Sequence, residues 1–304
     1  ASVVGKKEGE GPLAPFFDEI ETDDQLGQDN WEEAESMLQQ KAARLAIKKA
    51  GCCPEDIRII FAGDLLAQSM SGVAFLNGNA SDPPVALGLS LADSITGTHL
   101  AQGLLACLVR RTKTGLGGQV EVSLLESMLD LQFEQFSYYL NNDRKLPERS
   151  TIGNANDYLG APYGIYRTKD SYIAISMGAV STLGELIGEP ELLQYHGAEV
   201  AMEKRDEIKA IIARKMLTET TDHWVELLEG AKYWCGRLYN WKEMVNTDFF
   251  TSLNMLTDIR RDGEDKPLWT TKCPIRVNNQ QMGGGVPAPR LGADNDSINR
   301  EFGL

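Results

Sequence analysis

Histidine and cysteine, which supply most zinc sites, are scarce in this chain: three histidines and five cysteines occur among 304 residues. The cysteines are Cys52, Cys53, Cys107, Cys235 and Cys273, and no two of them form a Cys-x-x-Cys pair. We therefore expect no metal site. An odd number of cysteines without such a pattern is typical of free thiols, which indicates the reducing environment of the cytoplasm.

Basic side chains are also in short supply, because 30 Lys and Arg face 44 Asp and Glu and leave a net charge of −14. Nucleic-acid and anionic membrane surfaces bind basic segments, so neither partner is expected. The sequence has no apolar run of the ~18 residues that a membrane helix needs. The first eleven residues are polar and do not resemble a signal peptide. A length of 304 residues allows one or two globular domains.

Asp93 is the candidate catalytic residue. It follows the apolar run Pro84 to Leu91, and a period-3.6 apolar pattern from Ile95 to Arg111 predicts a helix directly after it. A carboxylate followed by Ser, Thr and Gly can be held among backbone N–H groups and used as a nucleophile. The alternative is that Asp93 only caps the helix. His99 lies on this helix and points away from Asp93, so we expect it to have a packing or hydrogen-bonding role.

Three basic residues, Arg110, Arg111 and Lys113, close the same helix before the glycines that begin at Gly115. Such a cluster is suited to the phosphates of an anionic ligand. The other interpretation is that these cations complement the negative end of the helix. The sequence leaves both open.

Other local patterns predict an α/β fold. Asn30 and Glu33 have capping-box spacing and start a predicted helix from Trp31 to Ala50, which Gly51 ends. Glycines at 283–285 are interpreted as part of a surface turn rather than a ligand-binding loop. The remaining predicted elements are strands at Ile57–Ala62, Gln119–Ser123 and Lys272–Val277, a hairpin at Tyr163–Ser176, and helices at Ser123–Asn141, Thr182–Ile187, Lys204–Leu217 and Asp222–Leu228.

From residue 69 onwards the sequence resembles the family III CoA-transferases, the carnitine and formyl-CoA transferase (CaiB/BaiF) type. The resemblance is carried by Ala-Asp-Ser-x-Thr-Gly-x-His at 92–99 and by Arg-Arg-Thr-Lys-Thr-Gly-x-Gly-Gln-x-Val-x-Val-Ser-Leu-Leu-Glu at 110–126. It extends through Gly-Ala-Pro-Tyr-Gly-Ile-Tyr at 160–166, Thr-Thr-Lys-Cys-Pro-Ile-Arg at 270–276 and Pro-Ala-Pro-Arg-Leu-Gly at 287–292. The fold that this implies is part of a Rossmann-like large domain with a small α+β domain.

The resemblance implies that Asp93 attacks an acyl-CoA thioester, and that Gly160, Tyr163 and Gly164, with Arg110, Arg111 and Lys113, contact substrate or CoA. In the family a glycine-rich loop covers the intermediates. The corresponding Asp157–Gly164 segment departs from that pattern, because Pro162 stiffens it. Coenzyme A would be a substrate, and no cofactor is implied. The partners would be an acyl-CoA and a free carboxylic acid, and the family forms interlocked homodimers.

Residues 1–68 resemble the start of the stage V sporulation protein AD family, which has a thiolase-like fold. Gly-Glu-Gly-Pro-Leu at 9–13, Asn-Trp-Glu at 30–32 and Phe-Ala-Gly-Asp-Leu-Leu at 61–66 carry this resemblance. The thiolase cysteine region is absent downstream, so thiolase chemistry is not expected. A non-catalytic, sporulation-associated binding protein is the alternative function.

Together the resemblances predict four segments: 1–68 (thiolase-like fragment), 69–156 (large-domain part and linker), 157–258 (small α+β domain) and 259–304 (return to the large domain). Nothing in 1–68 resembles the nucleotide-binding half with which the transferases begin. We therefore hypothesise a fused coding sequence, and we expect little or no activity from this chain.

Overall fold

The structure is a computed structural model, and it describes residues 3–11, 14–23, 25–51, 53, 63–261, 266–282, 287–289 and 292–303. Helices and strands are both present, as an α/β chain requires. The helices are α1 (Lys6–Gly9), α2 (Trp31–Ala50), α3 (Asp64–Ser71), α4 (Leu91–Thr114), α5 (Leu124–Leu131), α6 (Phe133–Asn141), α7 (Val180–Ile187), α8 (Ala198–Glu203), α9 (Arg205–Met216), α10 (Thr221–Gly230), α11 (Trp241–Met244), α12 (Asp248–Leu253) and α13 (Asn295–Phe302).

The strands are short. They are β1 (Val3–Val4), β2 (Glu19–Ile20), β3 (Gly164–Arg167), β4 (Tyr172–Ile175), β5 (Cys235–Arg237), β6 (Leu256–Ile259), β7 (Leu268–Thr271), β8 (Arg276–Val277) and β9 (Gln280–Gln281). β1 and β2 are parallel, whereas β3–β4–β5, β6–β7 and β8–β9 are antiparallel. No helix in the described part of the chain has the length and apolar character needed to cross a membrane.

The chain divides into two compact units, one of residues 1–60 with 244–304 and one of residues 61–243. The four segments predicted from the sequence remain predictions, because these units group residues by spatial proximity alone. The predicted strand at Ile57–Ala62 and the glycines at 283–285 lie outside the described residues.

In the first unit, α2 has the bounds that its caps predict. The Asn30 side chain accepts a hydrogen bond from the N–H of Glu33 at 2.9 Å, and Gly51 takes the left-handed conformation that ends the helix. The predicted strand at Lys272–Val277 is wrong, since β7 ends at Thr271 and β8 starts at Arg276. Pro274 lies in the gap and has no N–H to donate to a neighbouring strand.

In the second unit, α3, α4 and α5 enclose a small core of Ala67, Val73, Ala92 and Met128. The predicted strand at Gln119–Ser123 is wrong, because the segment has no regular secondary structure and pairs with no strand among the described residues. The predicted helix at 123–141 is interrupted at Gln132, which separates α5 from α6. The Gln132 side chain donates to the carbonyl of Ser71, 61 residues away, at 3.3 Å.

The larger core of this unit lies between the β3–β4–β5 sheet and helices α7 to α10. Side chains alternate along the sheet as a half-buried surface requires, with Tyr166, Ile173 and Ile175 inside. They pack on buried residues of the helices, namely Leu183, Ile187, Ile208, Ile211, Ile212, Met216, Trp224 and Leu228. The predicted hairpin and the helices at 182–187, 204–217 and 222–228 are confirmed to within two residues at each end.

Lys209 of α9 is fully buried beneath this sheet. Its ammonium donates to the Ser150 hydroxyl at 2.9 Å and to the Gly153 carbonyl at 3.1 Å. Burial, helped by the nearby Arg205 charge, lowers the pKa of Lys209 to about 8.

The Gly153 carbonyl that accepts from Lys209 also leaves no room for a side chain at Gly164, where an added Cβ would lie 2.3 Å from the oxygen.

Substitution Gly164→Ala is expected to lower the free energy of unfolding by about 1–3 kcal/mol, because the backbone or Lys209 must move to admit the methyl group. Gly236→Ala in β5 is the matched control, since a Cβ there meets no atom within 4 Å. Urea denaturation of both variants measures the difference. Equal stabilities would contradict the close approach.

The stability contributed by Lys209 is expected to rise as the pH increases from about 8 to 10. In that window the unfolded lysine, with its pKa near 10.4, still holds a proton that the folded one has lost. The free energy of unfolding of wild type minus that of Lys209→Met should increase by up to about 3 kcal/mol across it. Lys204→Met, which removes an exposed lysine, controls for the loss of one positive charge. A pH-independent difference for Lys209→Met would show that the buried amine keeps its proton.

Candidate active site

Asp93 lies in the first turn of α4, and its side chain is exposed. The helix does not cap itself, because Ser90, at the N-cap position with φ −73° and ψ 63°, forms no side-chain cap hydrogen bond. An acidic residue in the first turn is favoured by the partial positive charge of the helix N-terminus. The predicted helix is confirmed and extends four residues earlier and three residues later than its pattern, from Leu91 to Thr114.

The cap of α4 comes instead from Asp64, at the start of α3. One oxygen of Asp64 accepts hydrogen bonds from the N–H groups of Ala92 at 2.6 Å and Asp93 at 3.3 Å. Its other oxygen accepts from the Gln68 side chain. Sequence reasoning missed this role for Asp64, because its partners lie 28 and 29 residues further along the chain.

His99 is held by α5 rather than by Asp93. Its Nδ1 lies 3.0 Å from the Ser127 hydroxyl and its Nε2 lies 3.3 Å from a carboxylate oxygen of Asp130. Six residues place it about 9 Å along the helix from Asp93. The predicted hydrogen-bonding role is therefore confirmed.

Arg110, Arg111 and Lys113 lie at the opposite end of α4 from Asp93. A rise of 1.5 Å per residue separates them from Asp93 by about 26–30 Å along the helix axis. All three are exposed, and the left-handed Gly115 ends the helix by donating its N–H to the Arg111 carbonyl. The location suits both a helix C-terminal role and contact with a distant part of a long ligand, so a CoA-binding role remains a prediction.

Gly160, Tyr163 and Gly164 lie in a packed segment that runs into β3. An added Cβ on Gly160 would lie 2.8 Å from the backbone of Ala201 in α8, and the neighbouring Ala161 N–H donates to the Ala201 carbonyl at 2.9 Å. Tyr163 is half-buried. Close backbone approach accounts for both glycines without a hinge, and contact of these residues with substrate or CoA remains a prediction. No hydrogen bond or ion pair of the described structure joins this segment to Asp93.

Two of the cavities within this unit lie near the predicted site residues or have a mainly apolar wall. One, of about 490 Å³, adjoins Gly160 and the start of α7. The other, of about 770 Å³, lies between the end of α3, α6 and the linker around Arg149, and its wall is mainly aromatic and aliphatic. Asp93 lines neither cavity. Within the described ranges, no cluster of three His, Cys, Asp or Glu side chains could bind a metal ion.

The sequence profile of CoA-transferase family III matches residues 59–295. The profile of stage V sporulation protein AD (SpoVAD) matches residues 1–87, so the two matches overlap at 59–87. The succinyl-CoA:mesaconate CoA-transferase of Haloarcula hispanica is 27% identical over 245 residues, which are 79% of this chain and 61% of the relative. The acetyl-CoA:oxalate CoA-transferase of Acetobacter aceti is 27% identical over 248 residues, with the same coverage of 79% and 61%.

The crystal structure of a CaiB/BaiF family protein from Brucella suis has a similar fold, with a TM-score of 0.65 at 23% identity, over 79% of this chain and 63% of that chain. This likeness confirms the predicted α/β fold class. The chain spans about three fifths of the length of the curated relatives it matches.

Both resemblances predicted from motifs are thus confirmed, and the sporulation-protein match extends further than the motifs indicated, to residue 87. The transferase match covers more than three quarters of the chain and includes Asp93 and the other predicted site residues. The chain belongs to CoA-transferase family III.

Proposed function

We propose that this protein transfers coenzyme A from an acyl-CoA to a free carboxylate, with Asp93 as the nucleophile. The observation that carries the proposal is the exposed Asp93 carboxylate in the first turn of α4, at the position that matches the nucleophile in the family pattern. A carboxylate nucleophile divides the exchange into easier steps.

The steps balance without a redox or metal cofactor. A carboxylate oxygen of Asp93 attacks the thioester carbonyl, the C–S bond breaks, and CoA thiolate leaves an aspartyl–acyl anhydride. The thiolate then attacks the Asp93 carbonyl, which releases the donor as a carboxylate and leaves an aspartyl–CoA thioester. An acceptor carboxylate attacks this thioester, the C–S bond breaks, and an aspartyl–acceptor anhydride and CoA thiolate form. The thiolate then attacks the acceptor carbonyl, and the bond from that carbonyl to the Asp93 oxygen breaks. Acceptor acyl-CoA leaves, and the Asp93 carboxylate is regenerated.

The N–H groups at the start of α4 are already occupied. Those of Ala92 and Asp93 donate to Asp64, that of Leu91 donates to Leu89 at 2.8 Å, and that of Ser94 donates to Ser90 at 3.1 Å. An oxyanion needs donors that are aimed at it before the reaction. In this mechanism the donors for the tetrahedral intermediates therefore come from groups other than the first turn of α4.

The acceptor class follows from the relatives. Mesaconate and oxalate, in the names of the two transferases above, are both short dicarboxylates. We assign a short dicarboxylate as the acceptor here and the CoA thioester of a different short acid as the donor. Coenzyme A thus enters and leaves as a thioester substrate or product and is not retained as a cofactor.

The 304 residues by themselves are expected to bind CoA weakly and to turn over slowly. Their candidate phosphate contacts lie about 26 Å or more from Asp93, and the net charge of −14 repels a polyanion. Binding energy remote from the reacting atoms orients the thioester, so its loss lowers turnover as well as affinity.

The nucleophile is tested by trapping. Wild type incubated with succinyl-CoA and hydroxylamine should acquire a hydroxamate at Asp93, because hydroxylamine attacks the activated aspartyl carbonyl. Peptide mass spectrometry locates the label, and Asp93→Ala and Asp93→Asn should abolish it. Asp222→Ala is the matched control, since Asp222 is an exposed carboxylate in the first turn of another helix, α10. Undiminished labelling of the protein in Asp93→Ala would refute the assignment.

We also propose that the protein associates through α4. Its large apolar side chains are substantially exposed, with Leu104 at 50%, Leu105 at 62% and Leu108 at 53%. Exposed apolar stripes of this kind mark interaction surfaces. A homodimer, the assembly that the family resemblance implies, would cover this helix.

Multi-angle light scattering over a concentration series should show a dimer or larger species. The double substitution Leu104→Gln and Leu108→Gln should shift the distribution toward monomer by removing apolar area. The substitution Leu89→Gln, which removes an exposed leucine outside the helix, should not. A wild-type monomer at every concentration would refute association through α4.

The sporulation-protein match over residues 1–87 favours a second candidate, a non-catalytic binding protein. Its occurrence beside a transferase match supports a fused or recombined coding sequence as the origin of the chain. Long-read sequencing of the source locus tests this origin. One continuous reading frame would support fusion, whereas two full-length genes would exclude it. Absence of any Asp93 label would favour the binding protein.

A further inference from the structure

We infer that Asp64 and Gln68 are positioning residues for Asp93, an inference that deepens the proposed function and rests on it. They form a clamp, defined here as these two side chains with the backbone groups they hold at Leu87, Leu89, Ala92 and Asp93. The clamp fixes both the loop that leads into α4 and the first turn of α4 itself.

The first half of the clamp is the Asp64 carboxylate, which faces the starts of two helices. It lies in the first turn of α3, and it accepts from two N–H groups in the first turn of α4. Each helix start carries about half a positive charge and unsatisfied N–H donors. One anion therefore stabilises both ends, and it joins the Asp93 backbone to α3 across 29 residues of sequence.

The second half is Gln68, one turn further along α3 and only 2% exposed. Its amide oxygen accepts from the N–H of Leu87 at 2.8 Å, and its amide nitrogen donates to the carbonyl of Leu89 at 3.2 Å and to Asp64. A buried amide with its groups satisfied resists displacement, because each lost partner leaves a desolvated polar atom. Gln68 thus orients Asp64 and holds the segment just before Asp93.

Loss of the clamp is expected to change the reactivity of Asp93 and not the binding of acyl-CoA. Nucleophilic attack requires the carboxylate oxygen to be held near its target, and displacement of about 1 Å can cost about 100-fold in rate. Since Ser90 supplies no cap, the position of the Asp93 backbone depends on the clamp. Loss of the clamp should lower the rate of Asp93 acylation at saturating acyl-CoA without changing the acyl-CoA concentration that gives half the maximal rate.

The test compares Asp64→Ala, Asp64→Asn and Gln68→Ala with Asp170→Ala in the whole chain. Asp170 is the matched control, because it accepts from the N–H and hydroxyl of Thr221, the first residue of α10, at 2.8 Å, as Asp64 accepts from N–H groups in the first turn of α4. Two readouts are used: hydrogen exchange of the amides of residues 92 and 93, and the saturating rate of hydroxylamine labelling at Asp93 with succinyl-CoA.

Asp64→Ala and Gln68→Ala should speed exchange at residues 92 and 93 about tenfold and slow labelling at least about tenfold. Asp64→Asn keeps one acceptor oxygen, so its exchange rate at residues 92 and 93 and its labelling rate at Asp93 should both be close to those of wild type. Asp170→Ala should change neither of these two rates. Unchanged exchange in Asp64→Ala refutes the clamp, and faster exchange with an unchanged labelling rate refutes its positioning role. If wild type is never labelled, the proposed function fails, and the exchange result alone decides whether the clamp exists.

Discussion

The geometry of the candidate site depends on one carboxylate placed between two helix starts. Asp64 opens α3 and caps α4, so the two helices that flank the small core of the second unit share a single anion. The interaction is charge-assisted, and such hydrogen bonds are roughly twice as strong as neutral ones. Asp64 holds the backbone of Ala92 and Asp93 directly, and Gln68, which bonds to Asp64, holds the loop at 87–89. The candidate site is therefore positioned by a residue that is not itself expected to react.

Sequence reasoning succeeded for features that depend on residues close together along the chain and failed mainly for features that depend on distant ones. α2, α5 and α10 start where Asn30, Ser123 and Thr220 occur, because each cap bonds to an N–H three residues later. Three of the errors are long-range, whereas the strand predicted at Lys272–Val277 fails for a local reason, the missing N–H of Pro274. A strand at 119–123 needs a partner strand, the break at Gln132 involves Ser71, and the cap of α4 comes from Asp64. None of these partners can be read from a local window of sequence.

The candidate site shows the same difference between local features, which the sequence predicted, and long-range contacts, which it did not. Family motifs located Asp93, and helical periodicity placed Arg110, Arg111 and Lys113 at the far end of the helix predicted directly after Asp93. The reason that Gly160 and Gly164 are glycines could not be found in this way. It lies in the carbonyl of Gly153 and the backbone of Ala201, which approach them only after the sheet packs on α8 and α9. Their match to the family pattern is thus explained by packing, whether or not they also contact substrate.

In the proposed mechanism Asp93 must first form an activated intermediate and then pass its CoA to a carboxylate rather than lose it to water. An aspartyl anhydride or thioester formed at a solvent-exposed residue is open to water, and active sites protect such intermediates by excluding it. Transfer rather than hydrolysis then requires that Asp93 be covered during turnover. The described neighbours of Asp93 fix its backbone and leave its side chain exposed. In the proposed mechanism the clamp therefore positions Asp93 for attack, whereas the choice between carboxylate and water as acceptor depends on whatever covers the start of α4.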